Sequence, residues 1–278
     1  MNCSKNKSKA LPIGVFDSGV GGLTVLRALM ERLPGESTLY LGDTARLPYG
    51  TKSRQTITRY VVQAADKLLE KGIKLLVIAC NTATAAAMDE LVAVWPDLPV
   101  IGVVEPGAKA ACMASKSGNI AVIATESTIR HQAYQKAIQR IRPDARVTGQ
   151  ACSLFVSLAE EGWTEGQMVE LAARRYLDHI FGSGATDVPD CIVLGCTHFP
   201  PFAGAIAKVV GNGVSIVDSA ATTALVVEET LDRLDLRALG AEVTARFMTT
   251  DDVRRFARIG SIFLGRPLSE DMVELAEL

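Results

Sequence analysis

Short apolar runs alternate with longer stretches of helical period along nearly the whole chain. The runs at 13–16, 38–41, 75–79, 100–104, 120–124, 146–148, 191–194 and 215–217 are predicted strands. Most are rich in Val, Ile and Leu without polar alternation, as strands covered on both faces of a parallel sheet are. Between them, residues 22–32, 53–71, 82–94, 128–141, 164–181 and 220–234 repeat their apolar positions at helical spacing. Strand, helix, strand, helix predicts an α/β architecture of mostly parallel sheet flanked by helices.

The chain also repeats itself faintly. LLVIACNT (75–82) and IVLGCTH (192–198) are both buried-type strands running into a small residue, a cysteine and a threonine. A weaker echo links IGVFDSG (13–19) to SIVDSAA (215–221). Two related halves follow as an expectation, with residues 12–104 plus 215–278 forming a first domain and 105–214 a second. A disordered, solvated tail is expected for residues 1–11.

Composition narrows the functions on offer. The chain has 278 residues, 48% of them hydrophobic, which is enough for a sizeable core. With 29 basic and 31 acidic residues the net charge is −2, so a nucleic-acid partner is not expected. No apolar run reaches membrane-spanning length, so no membrane partner is expected. The lysines near the N-terminus have no apolar stretch behind them, which predicts a cytoplasmic protein. The six cysteines, Cys3, Cys80, Cys112, Cys152, Cys191 and Cys196, form no CxxC pair and no cluster with histidine. Neither a metal site nor a disulfide framework fits that spacing, and reduced thiols are expected.

Polar and reactive residues collect where the predicted strands end, which is where open α/β sheets bind ligands. They are Asp17 and Ser18, Gly42 and Asp43, Cys80 with Asn81 and Thr82, Glu105, Thr125, Cys196 with Thr197 and His198, and Asp218 with Ser219. The turn after Asp17 reads G-x-G-G, which matches neither a dinucleotide loop nor a phosphate loop. Its backbone N–H groups and the Ser18 hydroxyl suit a carboxylate better. The loop from Gly42 to Gly50, with Pro48 and Tyr49, is long and mixed enough for substrate contact.

A free cysteine is commonly a small buried hydrophobe. Cys80 and Cys196 stand apart because each precedes polar groups at a predicted helix start, where the helix dipole lowers a thiol pKa. A single cysteine with His198 nearby also fits an acyl-transfer nucleophile. Two equivalent thiols in two similar halves fit a reaction with two equivalent faces. Inversion of a carbon stereocentre is such a reaction, with one thiolate removing a proton and one thiol returning it.

FDSGVGGLTV, GDTARLPYG, ACNTATA, GVVEPG and LGCTHFP, in this order, resemble the glutamate racemase family of the aspartate/glutamate racemase superfamily. The match runs from about residue 13 to past Asp218. The resemblance implies an isomerase that interconverts L- and D-glutamate for peptidoglycan synthesis, without cofactor, as a homodimer of two-domain protomers. It implies two pseudosymmetric α/β domains with the active site in the cleft between them. Carried over, Cys80 would deprotonate D-glutamate with help from Asp17, and Cys196 would deprotonate L-glutamate with help from His198 and Glu105. Asp17, Ser18, Pro48, Tyr49, Gly50, Asn81, Thr82, Thr125, Thr197 and His198 would bind substrate. An aspartate or hydantoin racemase, a two-lobed solute receptor and a one-cysteine lyase are the competing readings.

Overall fold

In the computed structural model, residues 9–238, 240 and 242–278 are described. Most of the expected tail, and Cys3 with it, lies outside them. Two parallel sheets carry the architecture. The first contains β1 (Ile13–Asp17), β2 (Thr38–Gly42), β3 (Leu75–Ile78), β4 (Val100–Gly102), β9 (Ala245–Thr249) and β10 (Val273–Leu275). Their order is β10-β9-β2-β1-β3-β4. The second contains β5 (Asn119–Ala124), β6 (Arg146–Ala151), β7 (Cys191–Gly195) and β8 (Ser215–Asp218). Their order is β6-β5-β7-β8. Every residue of β1, β2, β3, β5 and β7 is buried, which accounts for their unbroken apolar character.

Helices flank the sheets: α1 (Leu23–Arg32), α2 (Arg54–Glu70), α3 (Asn81–Val94), α4 (Val104–Ala114), α5 (Glu126–Arg130) and α6 (Ala133–Ile141). They continue with α7 (Ser153–Glu160), α8 (Gln167–Phe181), α9 (Ala203–Val210), α10 (Ala220–Arg233) and α11 (Val253–Leu264). Among the described residues no helix is long and apolar enough to cross a membrane.

The structure departs from the sequence reading at several points. Strand β8 was expected to open the return to the first domain, yet it pairs in parallel with β7 and completes the second sheet. The return is made by α10, which packs on α1. The strand expected to run to Val104 stops at Gly102, and a helix begins at Val104. The single helix expected over 128–141 is two, broken where Gln132 takes a left-handed φ of 54°.

The largest apolar cluster does not respect the division between sheets. Phe155 of α7 stacks on Phe202 with ring centroids 4.9 Å apart and meets Phe199 edge-on at 5.4 Å. All three are fully buried, in one cluster with Val20, Leu23, Phe256 and Phe263 from the first-sheet side. This shared core holds the two sheets' strand ends against each other. Phe155→Ala is expected to cost about 3–5 kcal/mol of stability, read as a lower midpoint in urea unfolding.

Candidate active site

The carboxyl ends of β1, β3 and β7 meet at one cavity of ≈ 170 Å³ between the sheets. Cys80, at the end of β3, and Cys196, at the end of β7, both line it. So do Ser18, Pro48, Tyr49, Gly50, Asn81, Thr82, Thr125, Thr197 and His198. Asp17 is fully buried directly behind, where its carboxylate accepts from the Thr197 hydroxyl at 3.3 Å and the Gly19 N–H at 3.0 Å.

Cys80 caps α3. Its sulfur accepts from the Ala83 N–H at 3.4 Å, and its thiol donates to the Ser18 hydroxyl at 3.4 Å. The helix start does not produce the lowered pKa expected from sequence. Burial, reinforced by the Asp17 charge, outweighs the Ser18 and Ala83 hydrogen bonds and pushes the thiol up to about 12. Burial likewise raises the Asp17 pKa, against the pull of His198 and of the hydrogen bonds it accepts.

The Cys196 side is built differently. Its sulfur lies 3.9 Å from His198 Nδ1, and His198 Nε2 lies 2.7 Å from Glu160 Oε1. Burial on its own disfavours the imidazolium. The hydrogen bonds and negative charges of Cys196 and Glu160 together overcome it and hold the His198 pKa well above the ordinary value. A sulfur, an imidazole and a carboxylate in line can stabilise a thiolate and return its proton.

The polar groups around the thiols are pre-set. Tyr134 donates to Asn81 Oδ1 at 2.7 Å, while Asn81 Nδ2 is buried with no partner among the described residues. Such an orphaned donor is costly unless something supplies an acceptor. Thr82, Thr125 and Thr128 share hydrogen bonds, with Thr82 and Thr125 hydroxyls 2.8 Å apart, and these tie α3 to α5 across the sheets. Tyr49 spends its hydroxyl on the buried Asp43 carboxylate, which also holds Arg46 and Thr250. It therefore fixes the loop that presents Pro48 and Gly50.

Glu105 is a correction. The turn after β4 sends it into solvent, where its side chain is 62% exposed and ion-paired with Arg140. It lines a separate surface groove that contains neither thiol. The partner of His198 is Glu160, on a helix that the sequence reading did not assign. The same helix, α7, lends Ser153, Val156 and Ser157 to the cavity wall. Asp218 caps the start of α10, accepting from the Ala220 N–H at 2.8 Å, and lies outside the cavity lining. No group of three or more possible metal ligands occurs among the described residues.

The raised thiol pKa has a consequence for stability. Unfolding returns Cys80 from about 12 to its ordinary 9.0, so above pH 9 the unfolded chain binds fewer protons than the folded one. Stability is therefore expected to fall between pH 9 and 12, at up to about 1.4 kcal/mol per pH unit for this thiol. Cys80→Ala should flatten that part of a pH–stability curve measured by urea unfolding.

A parallel two-sheet α/β protein with paired thiols at one interdomain cavity defines a class, and the sequence comparisons agree with it. The chain belongs to the Asp/Glu/Hydantoin racemase family, whose sequence pattern matches residues 13–227. It is an amino-acid racemase, an isomerase. It is 48% identical to the glutamate racemase of Geobacter metallireducens over 259 residues, covering 93% of this chain and 94% of that one. The crystal structure of Francisella tularensis glutamate racemase in complex with D-glutamate superposes with a TM-score of 0.88 at 36% identity, covering 97% and 98% of the two chains. The Escherichia coli glutamate racemase structure, with L-glutamate and the activator UDP-MurNAc-Ala, gives 0.79 at 30% identity, covering 96% and 99%.

Proposed function

We propose that this chain interconverts L- and D-glutamate by direct proton transfer between two thiols. Cys196 as thiolate takes the α-proton of L-glutamate, and the Cys80 thiol delivers its proton to the opposite face. The product is D-glutamate, with Cys80 left as thiolate and Cys196 as thiol. The reverse direction uses the same two sulfurs with their roles exchanged. Asp17 assists the Cys80 side, and His198, held by Glu160, assists the Cys196 side.

The observation that carries the reading is that Cys80 and Cys196 reach one small cavity from two different sheets. Each sulfur is close enough for the charge on Cys196 to raise the Cys80 pKa. The α-proton of an amino acid is a poor acid, so the site must stabilise developing charge with aimed donors in a water-poor space. The unpartnered Asn81 Nδ2, the Ser18 hydroxyl and the turn at Gly50 are donors of that kind for two carboxylates. The D- and L-glutamate bound by the Francisella and Escherichia relatives support the choice of substrate.

On this reading the protein works in the cytoplasm as a homodimer and supplies D-glutamate to peptidoglycan. The test uses L-glutamate in D₂O, following optical rotation and Cα deuteration together. Product that carries deuterium from the first turnovers, beside substrate that stays protiated, is the expected result. Deuterium entering the remaining substrate as fast as product forms would point to one base and overturn the scheme.

A further inference from the structure

Helix α11 follows β9 of the first sheet and packs on α1 and β10. Its first turn nevertheless reaches the C-terminal end of α7. There Arg255 Nη2 donates to the Glu160 carbonyl oxygen at 3.0 Å. The same nitrogen lies 3.8 Å from Glu160 Oε2 and 3.6 Å from Glu161 Oε1. Glu160 is the last residue of α7, so its carbonyl is one of those a helix leaves without an internal partner. An arginine at that end satisfies the carbonyl and complements the negative pole of the helix. Further along α11, Phe263 meets the His198 ring edge-on, with centroids 5.4 Å apart. One helix of the first domain thus touches both members of the pair behind Cys196. Beside these contacts the seam is open: a cavity of ≈ 180 Å³ there is walled by Val20, Leu47, Phe256 and Ile259 along with Glu160 and Arg255.

We infer that Arg255 is a positioning residue for proton transfer at Cys196, acting across the domain seam by fixing Glu160 and, through it, the His198 ring. The inference rests on the two-thiol reading above. An exposed ion pair alone carries little energy. Arg255 differs in gathering a backbone carbonyl and two carboxylates on one nitrogen, behind a carboxylate whose other oxygen holds a buried imidazole. Glu160 can then keep its angle to His198 only while α11 stays docked on α7.

The test compares Arg255→Gln and Arg255→Lys with the wild type, in the full chain. The two enantiomers have equal free energy, so kcat/KM must change by one factor in both directions, and rates alone cannot show which thiol is affected. A fall of about tenfold is expected for Arg255→Gln, within the range that small misplacements of catalytic groups produce. Isotope effects locate the loss. The Cys196 step breaks the Cα–H bond of L-glutamate, so slowing it makes that cleavage more rate-limiting. The effect measured with α-deuterated L-glutamate should rise in Arg255→Gln, and that with α-deuterated D-glutamate should fall. Arg255→Lys, which keeps the cation, should lie between Arg255→Gln and the wild type in both readouts. In a Glu160→Gln background, Arg255→Gln should add nothing further. Isotope effects that stay unchanged, or move in parallel, would overturn the inference, as would an undiminished tenfold loss in the Glu160→Gln background. Failure of the two-thiol reading is distinguishable, because it shows as deuterium in unreacted substrate of the wild type.

Discussion

Replacing either Cys80 or Cys196 by alanine is expected to lower racemisation by about 10²- to 10⁴-fold, the usual worth of a positioned acid or base. The loss should be nearly the same in both directions for each variant. Microscopic reversibility requires this: each thiol is the base in one direction and the acid in the other. The variants should part company when Cα–H exchange is followed instead of racemisation. Cys80→Ala keeps the base facing L-glutamate, so it should still wash deuterium from D₂O into L-glutamate, with retention, and leave D-glutamate protiated. Cys196→Ala should do the reverse. Both sulfurs sit in space that alanine leaves open, and neither side chain is a large part of the core, so melting temperatures should move little. Exchange of the opposite enantiomer in either variant would reverse the assignment of faces. Full racemisation in either would remove that residue from the mechanism.

The parts of this site that could be read from sequence share a physical property: they sit at strand ends. A buried parallel strand announces itself by an unbroken apolar run, and the first polar residue after it falls at the sheet's ligand edge. Asp17, Cys80 and Cys196 were found in that way, and their cavity neighbours came with them. Glu160 could not be. It ends a helix, SLFVSLAE, whose apolar letters read equally well as strand or helix. Its partnership with His198 spans 38 residues and exists only through tertiary packing. Glu105 misled for the converse reason. It followed an apolar run and so looked like a strand-end group, but the strand closes at Gly102 and one turn of helix rotates the carboxylate into solvent. The fold shows the same division. The main strands and most of the long helices were legible, whereas β9, β10 and α11 were not: ARFMT and VEL are short runs, each interrupted by a charged residue, and α11 lies between them without a strand signal on either side. The expected boundary at residue 214 put β8 in the first domain, yet β8 pairs in parallel with β7 and belongs to the second sheet. The Cys80 thiol makes the related point for chemistry: a helix start argues for a low pKa, and burial, with the Asp17 charge beside it, reverses it in a way invisible to local sequence.

Gly21→Ala is expected to lower kcat by about 10²-fold, because a misplacement near 1 Å at reacting groups can cost that much, and to lower stability by about 1–3 kcal/mol through overpacking. Gly21 does not have a left-handed φ, so alanine meets no backbone strain there. The difficulty is space. A Cβ at this position would lie 2.5 Å from Thr197 Oγ1 and 2.7 Å from His198 Nδ1, both on the far side of the cavity from its own sheet. Neither neighbour can yield freely: Thr197 donates to Asp17, and His198 is held by Glu160 and by Phe263. The methyl group must therefore push the Asp17 turn and the Cys196 segment apart, widening the gap that the proton transfers have to span. Gly50 makes the same kind of approach at the other rim, where a Cβ would lie 2.8 Å from Thr125 Cβ. The glycines of these turns thus set the separation of the two thiol-bearing edges. Steady-state rates in both directions, beside a urea unfolding curve, check the expectation for Gly21→Ala. A variant with wild-type kcat would show that the two edges tolerate a wider spacing, and that the thiols do not depend on close approach of the domains.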